Sequence, residues 1–420
     1  MTSENSTALV TVALRPAQLD LGGALGAEAT VGLMTDALHA ALARTGIDRA
    51  ALARASAQIR VSGIEVEAGP ARPGEGMRVS VHADETPTGT AGRLPLTVVD
   101  SAGAVAARGV VGWALSTAVE TSGPIAPPDD LPPPVAARLM KGEHCDQAGH
   151  VNVQVFLDLA DDGLAGIAEA LKLAEAGGRL RFTAARVQFK SELFAGDSVS
   201  VRSFVRGTSP DGLLVTHAIT RVPGGPAACV VETTAAPVGA DGRALALPAA
   251  WIAAAEGAVA DWSGAAPPKP LGEPGVPAAP PANAVETCRE TIDTWDVDGD
   301  GLLSSRAMIR WFSTGARQYL GTIGLDGARF ARDQITVAAV DYAITVPARP
   351  PLGANIVLRS APLDIGAKSM RFFHHMADAD TGEIYATVLI TGVMLDLKIR
   401  RSMEVPADVR ERLKALLESI

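Results

Sequence analysis

The chain has 420 residues, 47% of them hydrophobic and 20% charged, with a formal net charge of −10. This length predicts about two to four domains, and the apolar fraction is sufficient for packed cores. The negative charge argues against nucleic acid and anionic membranes as partners, because both attract basic surfaces. Residues 1–6 lack the pattern of a signal peptide, and no apolar run reaches about 18 residues, so we expect a cytoplasmic protein that does not enter a membrane.

The three cysteines, Cys145, Cys229 and Cys288, are odd in number and show no CxxC spacing. This pattern fits a reducing compartment better than a disulfide framework, and we expect buried or unreactive thiols. Cys145 precedes an acidic residue, but nothing in the sequence pairs it with an activating base. The sequence indicates no cofactor and no metal.

Block one, residues 1–120, has Asp20 ahead of a helix-like stretch. Gly74 marks the start of a strand and Gly103 a hairpin, and residues 121–134 follow as a linker, since their clustered prolines neither continue a helix nor donate to a sheet. Apolar and β-branched runs between Gly-rich turns predict strands over residues 57–67, 77–83, 94–100 and 105–115.

Block two, residues 135–250, carries the most informative phrase of the chain, Asp146-Gln-Ala-Gly149-His150-Val151-Asn152. The phrase places a carboxylate and a glycine-centred turn just ahead of a predicted helix over residues 153–173, whose apolar residues recur at helical spacing. The helix has to bury its apolar stripe against one face of an antiparallel sheet. The strands of that sheet are predicted over residues 181–189, 198–206, 213–222 and 227–238.

Block three, residues 284–420, follows a second linker over residues 263–283, which is rich in Pro, Gly and Ala and should be extended. A weaker copy of the acidic phrase begins at Asp298-Gly-Asp-Gly301, 152 residues after Asp146. The elements predicted after it are a helix over residues 306–320 and strands over 334–346, 355–361, 369–377 and 384–397.

The three blocks share one spacing of acids and glycines. In each block the strand-start glycine and the hairpin glycine are 29 residues apart, and counting back from the first glycine by 54, 50 and 55 residues reaches an Asp. This periodicity predicts one ancestral unit present three times. The matching positions are Asp20, Gly74 and Gly103; Asp146, Gly196 and Gly225; and Asp298, Gly353 and Gly382.

The phrase at Asp146, with one helix and a sheet after it, resembles the hot-dog fold thioesterases of the 4-hydroxybenzoyl-CoA and acyl-CoA type. The resemblance implies an α+β fold of three tandem hot-dog modules, each an antiparallel sheet wrapped around one long helix. Block two departs from the family pattern at Val153, where a second Asn is common. Block three has Leu-Leu-Ser-Ser at residues 302–305 in place of His-Val-Asn-Asn, and block one keeps only Asp20, the helix and the glycines.

The resemblance further implies hydrolysis of acyl-CoA or acyl-carrier-protein thioesters by a carboxylate at Asp146, acting as nucleophile or general base. Backbone N–H groups of the turn from Gly149 to Asn152 would polarise the thioester carbonyl at the helix N-terminus. His150 and Asn152 would orient water or hydrogen-bond the substrate, and Gly149 and Val151 are expected to be substrate-binding positions.

These residues also have a purely structural interpretation, since an Asp or Asn ahead of a helix often only caps it. In block three, Asp298 and Gly301 are expected to be substrate-binding positions, although the missing His and Asn favour loss of catalysis at Asp298. The same stretch fills several positions of a calcium loop starting at Asp296, but Ala307 stands where the bidentate carboxylate should be.

His374 and His375 are neighbours on a predicted strand, and their side chains therefore point to opposite faces. We expect them at the surface and in the core, respectively, rather than on one metal. Two other functions stay open for the chain. A hot-dog hydratase or dehydratase would keep the fold, but its usual Asp and His phrase is not found. A non-catalytic acyl-thioester binding or assembly protein is suggested by decay of the acidic phrase in two blocks.

Hot-dog sheets commonly pair so that an exposed edge is continued. We therefore expect blocks two and three to pair within the chain and block one to pair with its twin in a second copy, giving a homodimer. The alternative, a pairing of blocks one and two, would leave block three for the dimer contact.

Overall fold

The computed structural model of the protein describes residues 8–13, 25–71, 78–119, 136–146, 149–173, 179–222, 226–261 and 280–418. The predicted linker 121–134 and most of the linker 263–283 lie outside the described residues, as do Asp20, Gly74 and Gly225. No helix in the described ranges is long and apolar enough to cross a membrane.

The elements of block one begin with a strand and a long helix. They are β1 (Val10–Ala13), α1 (Ala27–Arg44), α2 (Arg49–Arg54), β2 (Ile59–Ala68), β3 (Arg78–Ala83), β4 (Ala91–Asp100) and β5 (Val105–Leu115). In its described residues, block two has the same order of strands and long helix, without a short α-helix after the long one, and adds a helix at its end. Its elements are β6 (Ala136–Leu139), α3 (Val153–Ala170), β7 (Leu180–Phe189), β8 (Ser198–Ser209), β9 (Gly212–Arg221), β10 (Ala227–Pro237) and α4 (Ala249–Asp261).

Block three has the same order again, with a short helix after the long one and a helix at the C-terminus. Its elements are β11 (Val285–Thr291), α5 (Ser305–Thr322), α6 (Gly327–Asp333), β12 (Ile335–Thr345), β13 (Asn355–Ile365), β14 (Ser369–Asp378), β15 (Ile384–Asp396), β16 (Arg401–Ser402) and α7 (Ala407–Glu418). The long helices α3 and α5 begin within one residue of the positions predicted from the sequence.

The strands form one antiparallel sheet that runs through all three blocks. Its order is β11, β13, β14, β15, β12, β7, β10, β9, β8, β6, β1, β3, β4, β5 and β2, with β16 added beside β15. Within every block the first strand is followed across the sheet by the third, fourth, fifth and second. The predicted meander therefore holds for the last three strands of a block, whereas the second strand crosses over to lie beside the fifth.

The long helices pack on the sheet through their apolar faces. In α3, Leu159, Leu164 and Ile167 are fully buried, and burial of each such side chain stabilises the fold by about 1.5–3 kcal/mol. α3 also packs against α5, so one apolar core extends through blocks two and three. Block one has its own core around Met34 and Leu38 of α1.

The junction between blocks two and three is the ladder from β7 to β12. Tyr342 lies opposite Val187 there, and Arg186 binds Asp341 across the junction at 2.6 Å. This confirms the predicted pairing of blocks two and three within the chain. Block one is joined to block two as well, because β1 pairs with β6 through Thr11 and Ala137. The strands at the two ends of the sheet are β2 and β11.

Four helices were not predicted: α2, α4, α6 and α7. Trp251 of α4 is buried in the shared core. α7 packs against β13 and buries Val409 and Leu413. Asp326 caps α6 by accepting from the Arg329 N–H at 2.8 Å. α6 matters for function because it lies at the wall of the cavity described next.

Candidate functional site

A cavity of about 250 Å³ opens between the start of α3 and the sheet of block three. Block two contributes Asp146, Asn152 and Val153 to its wall. Block three supplies the remaining lining residues. Their apolar members are Ala316, Leu320, Leu325, Phe330, Ile335, Val337, Ala339, Phe372 and Ile390, and their charged members are Arg317, Asp326 and Arg329. Because its wall comes from both blocks, the cavity exists only where the two blocks pair.

Asp146 stands on a tight turn that leads into α3. Gly149 adopts φ of +80°, a backbone conformation that favours glycine, and its N–H donates to the Asp146 carbonyl oxygen at 3.0 Å. The Asp146 N–H in turn donates to the His150 carbonyl oxygen at 2.8 Å. The Asp146 side chain is about one third exposed, at 36%, and lines the cavity. The turn therefore presents a carboxylate at the cavity wall.

The backbone N–H groups expected to polarise a carbonyl are used inside the loop. The His150 N–H donates to Asp146 Oδ1 at 3.1 Å, and the N–H groups of Val151 and Asn152 donate to the carbonyl oxygens of Leu193 and His144 at 2.9 and 2.8 Å. Together with the Gly149 N–H, all four are occupied, contrary to the expectation that this turn supplies the donors.

Val153 provides an available donor one residue later. It is the first residue of α3 and lines the cavity, and its N–H bonds to none of the described residues. The first N–H groups of a helix have no partner within the helix, and the helix dipole favours negative charge near them. The start of α3 can thus receive an oxygen atom that develops negative charge.

His150 lies behind the turn rather than in the cavity wall. Its Nδ1 is 4.0 Å from Asp146 Oδ2, and its Nε2 is 3.1 Å from Glu192 Oε1 and also contacts Arg400. The ring meets the edge of Phe194, with centroids 5.8 Å apart. His150 therefore supports the loop that carries Asp146 from behind, through its contacts with Glu192, Arg400 and Phe194.

The other two predicted positions of the phrase have structural surroundings. Asn152 caps α3, because its Oδ1 accepts from the Gln154 N–H at 3.2 Å, although the residue also lines the cavity. Val151 is 7% exposed and belongs to the shared core. The structure thus brings Asp146 and Asn152 together at the cavity, and places His150 and Val151 behind it.

The loop at Asp298 has the same backbone geometry but a different environment. Gly301 adopts φ of +76°, and its N–H donates to the Asp298 carbonyl oxygen at 2.8 Å. The Asp298 carboxylate is buried and accepts from Arg181 at 2.7 Å, with Arg179 at 3.4 Å. Ser304 caps α5 as Asn152 caps α3, since its Oγ accepts from the Ala307 N–H. In this second acidic loop, arginine side chains therefore occupy the space beside the carboxylate.

The carboxylates of the possible calcium loop are also bound by arginine side chains. Asp300 accepts from Arg181 at 2.6 Å, and Asp296 accepts from Arg310. Carboxylates that are bound by guanidinium groups do not offer the ring of oxygens that calcium requires. No cluster of three or more metal-binding side chains is present in the described ranges.

A pseudo-twofold relation between blocks two and three is visible at their junction. Arg186 and Ala343 face each other at the centre of the β7–β12 ladder and are 157 residues apart. The same offset relates Arg181 to Ala338. An alanine cannot bind a carboxylate, whereas the guanidinium of Arg181 fills the space beside Asp298.

Several cavity residues were not recognised from the sequence. α6 brings Asp326 and Phe330 to the wall, and its signal was an Asp followed by a short helix-forming run. The prediction that His374 lies at the surface was wrong, because it is 2% exposed and lines the cavity. The prediction that His375 lies in the core is confirmed, since it is 4% exposed. Both faces of this strand are covered, which alternation alone does not reveal.

Two segments of the chain, residues 141–256 and 292–413, match a family model described as the thioesterase-like superfamily, and together they span more than half of its length. Among solved structures, the chain is similar to an acyl-ACP thioesterase from Bacteroides thetaiotaomicron VPI-5482, with 13% identity, coverage of 61% of this chain and 96% of that one, and a TM-score of 0.46.

It is also similar to the 12:0-ACP thioesterase from Umbellularia californica, with 8% identity, coverage of 61% and 92%, and a TM-score of 0.45. A protein from Staphylococcus aureus solved in complex with CoA has 14% identity, coverage of 33% and 89%, and a TM-score of 0.31. The comparison with curated proteins finds no match.

Proposed function

The chain belongs to the thioesterase-like superfamily, and on that premise we propose that it hydrolyses acyl thioesters in the cavity beside Asp146. The observation that carries the proposal is a carboxylate on the wall of a partly apolar cavity formed by two paired blocks. The apolar part of this wall suits an acyl chain. The carrier, either CoA or acyl-carrier protein, would remain outside the cavity.

The proposed chemistry uses the start of α3. A carbonyl oxygen bound to the Val153 N–H would lie at the positive end of the helix dipole, which stabilises the developing negative charge. Asp146 would attack the carbonyl carbon or take a proton from the attacking water. In the first route a carboxylate oxygen bonds to the carbonyl carbon, the C–S bond breaks with release of the thiolate, and water then hydrolyses the anhydride to the acid and the free carboxylate. In the second route the water oxygen bonds to the carbonyl carbon, the C–S bond breaks, and the proton passes to the leaving thiolate.

We propose a positioning role for His150, since its N–H holds Asp146 Oδ1 and its ring is held by Glu192. Asn152 would act as the cap that fixes the start of α3. For Asp298 and Gly301 we propose a structural role in place of substrate binding, because Arg181 fills the space beside them.

We further propose that block one is a third hot-dog module that has lost its site. The family match covers blocks two and three, and block one repeats their strand order and their single long helix on the sheet. A cytoplasmic location is proposed as well, since no disulfide joins Cys145, Cys229 and Cys288, which fits a reducing compartment.

The proposed function is tested with a panel of acyl-CoA and acyl-carrier-protein thioesters and a thiol reagent. Asp146→Asn should lower the rate of thiol release by about 10²–10⁴-fold, the usual contribution of a general base. Glu143→Gln is the matched control, because Glu143 is a nearby carboxylate with a 69% exposed side chain. Tight binding without thiol release in the unaltered protein would instead support a non-catalytic acyl-thioester binding protein.

We also propose a homodimer formed through the edge strand β2. In blocks two and three the second strands, β7 and β12, pair with each other at the block junction. β2 is the second strand of block one and lies at the end of the sheet. A second copy of β2 would complete the same arrangement and cover an exposed edge.

A further inference from the structure

Three polar groups in the cavity wall have no hydrogen-bond partner among the described residues. They are His374 Nε2, Tyr319 Oη and Tyr342 Oη. All three side chains are almost fully buried, at 2% exposure each. A buried polar group without a partner is costly and calls for an explanation, and a ligand that fills the cavity would supply the missing partners.

In block two, the histidine that corresponds to His374 has a hydrogen-bond partner for each ring nitrogen. β8, β9 and β10 start 157 residues before β13, β14 and β15, so His217 corresponds to His374 and Ser203 to Ser360. His217 bonds Ser203 through Nδ1 at 2.8 Å and Thr233 through Nε2 at 3.1 Å. This histidine is fully satisfied within its own block.

Block three keeps the serine and loses the threonine. Ser360 bonds His374 Nδ1 at 2.7 Å, but the counterpart of Thr233 is Ile390, which cannot bond Nε2. The two tyrosines are also specific to block three, since Tyr342 corresponds to Ala185 and Tyr319 corresponds to Ile167 of α3. All three groups without a partner therefore belong to the block that supplies most of the cavity wall.

The hydrogen-bond network leads to one assignment of the protons that uses every contact. Thr287 Oγ1 donates to the Leu358 carbonyl oxygen at 3.4 Å, and Ser360 then donates to Thr287 in their 3.1 Å contact. In this assignment Ser360 accepts from His374 Nδ1 and Nε2 is an acceptor, because each hydroxyl carries a single proton.

The protonation states agree with these roles. Burial lowers the pKa of His374 to about 3, so the ring is neutral near pH 7. Burial raises the pKa of Tyr319 and of Tyr342, so both hydroxyl groups keep their protons and can donate. These three groups therefore offer one acceptor and two hydroxyl donors next to the apolar residues Phe372 and Ile390 of the wall.

We infer that the cavity takes an acyl group that carries a hydroxyl group, which donates to His374 Nε2 and accepts from the hydroxyl of Tyr319 or Tyr342. This inference rests on the proposed thioesterase function and names its substrate class. A hydroxyl is the smallest group that both donates and accepts, and the surrounding Phe372 and Ile390 suit the carbon skeleton. An unsubstituted acyl group would leave the three polar groups without partners.

The test compares straight-chain and aromatic acyl-CoAs with counterparts of the same skeleton that bear one hydroxyl group at different positions. In the unaltered protein the best hydroxylated substrate should exceed its unsubstituted counterpart by about 100-fold in kcat/KM, since sites that hydrogen-bond a substrate hydroxyl discriminate strongly. Ile390→Thr, which restores the partner found in block two, should lower this ratio, and so should Tyr342→Phe. Thr233→Ile is the matched control outside the cavity and should leave the ratio unchanged.

The outcomes separate this inference from the proposed function. Hydrolysis of both members of every pair at equal kcat/KM would overturn the inference and leave the thioesterase proposal intact. If no thioester is hydrolysed, the thioesterase proposal fails, and calorimetry with non-hydrolysable thioether analogues of the same pairs still decides the inference. Equal affinity for the hydroxylated and unsubstituted analogues would overturn it.

Discussion

Arg181 is the residue that distinguishes the two acidic loops of blocks two and three. Its side chain is 3% exposed and lies between the carboxylates of Asp298 and Asp300. The guanidinium fork matches such a pair of acceptors, which the alanine at the related position 338 cannot do. The two loops have like backbones, and an arginine occupies the space beside the carboxylate in only one of them.

We predict that Arg181→Thr lowers the free energy of unfolding by about 3–5 kcal/mol, because it leaves Asp298 buried without its main partner. Urea unfolding followed by circular dichroism measures the change. The double variant Arg181→Thr with Asp298→Asn should be less destabilised than the single variant, since the uncompensated charge is gone. Equal stability of the single variant and the unaltered protein would show that this ion pair does not hold the loop.

At the scale of elements, the start of each long helix is the feature that positions the site. Asn152 caps α3 and Ser304 caps α5, each through a side-chain oxygen that accepts a backbone N–H. The Val153 N–H, which we propose as the donor to the substrate, follows directly after the first cap. The orientation of this donor therefore depends on the cap.

We predict that Asn152→Ala and Ser304→Ala each lower the free energy of unfolding by about 1 kcal/mol, the typical value of a lost cap. Only the first change should also slow hydrolysis, because only α3 starts at the open cavity. Asn152→Ser keeps a capping oxygen, so both stability and hydrolysis should stay close to those of the unaltered protein. A loss of activity in Asn152→Ser as large as in Asp146→Asn would instead assign Asn152 a direct role with substrate.

The features that the sequence predicted are local ones. The starts of α3 and α5 followed from an acid, a positive-φ glycine and a capping residue within a few positions, and these interactions form inside one loop. The Asp146 loop and its copy at Asp298 were found for the same reason, as were the helix lengths and most strands.

The features that the sequence did not predict depend on distant contacts. The N–H groups of Val151 and Asn152 are used by Leu193 and His144, a pairing that no spacing within the phrase reveals. The ion pair of Asp298 with Arg181 spans 117 residues. The burial of His374 depends on α5 covering its strand, with Tyr319 6.5 Å away between ring centroids. Each is decided by the pairing of blocks two and three.

At the scale of the whole molecule, the two ends of the sheet are formed by strands that hold different positions in their blocks. β11 is a first strand, and the first strands of blocks one and two, β1 and β6, pair with each other. β2 is a second strand, like β7 and β12. Aligning the ten-residue strands β2 and β7 places Val66 at the position of Val187, next to the centre of the block junction. Val66 is 41% exposed, so this position is available to a second copy.

The charges near Val66 make the proposed dimer sensitive to salt. Glu65 takes the position of Arg186, which binds Asp341 at the block junction. In a dimer, two Glu65 side chains would approach each other, and each is only partly neutralised by Arg93 of its own copy at 2.8 Å. Repulsion between exposed like charges weakens as ions screen it, so association through β2 should strengthen with added salt.

We therefore predict a dimer at micromolar concentration whose dissociation constant falls as sodium chloride is raised, measured by sedimentation equilibrium or light scattering. Val66→Asp adds a further charge at the centre of this edge and should give a monomer. Val285→Asp is the matched control, because Val285 lies on β11 at the opposite end of the sheet and is 40% exposed. Dissociation caused by Val285→Asp and not by Val66→Asp would place the contact on block three, and a monomer at every salt concentration would rule out the dimer.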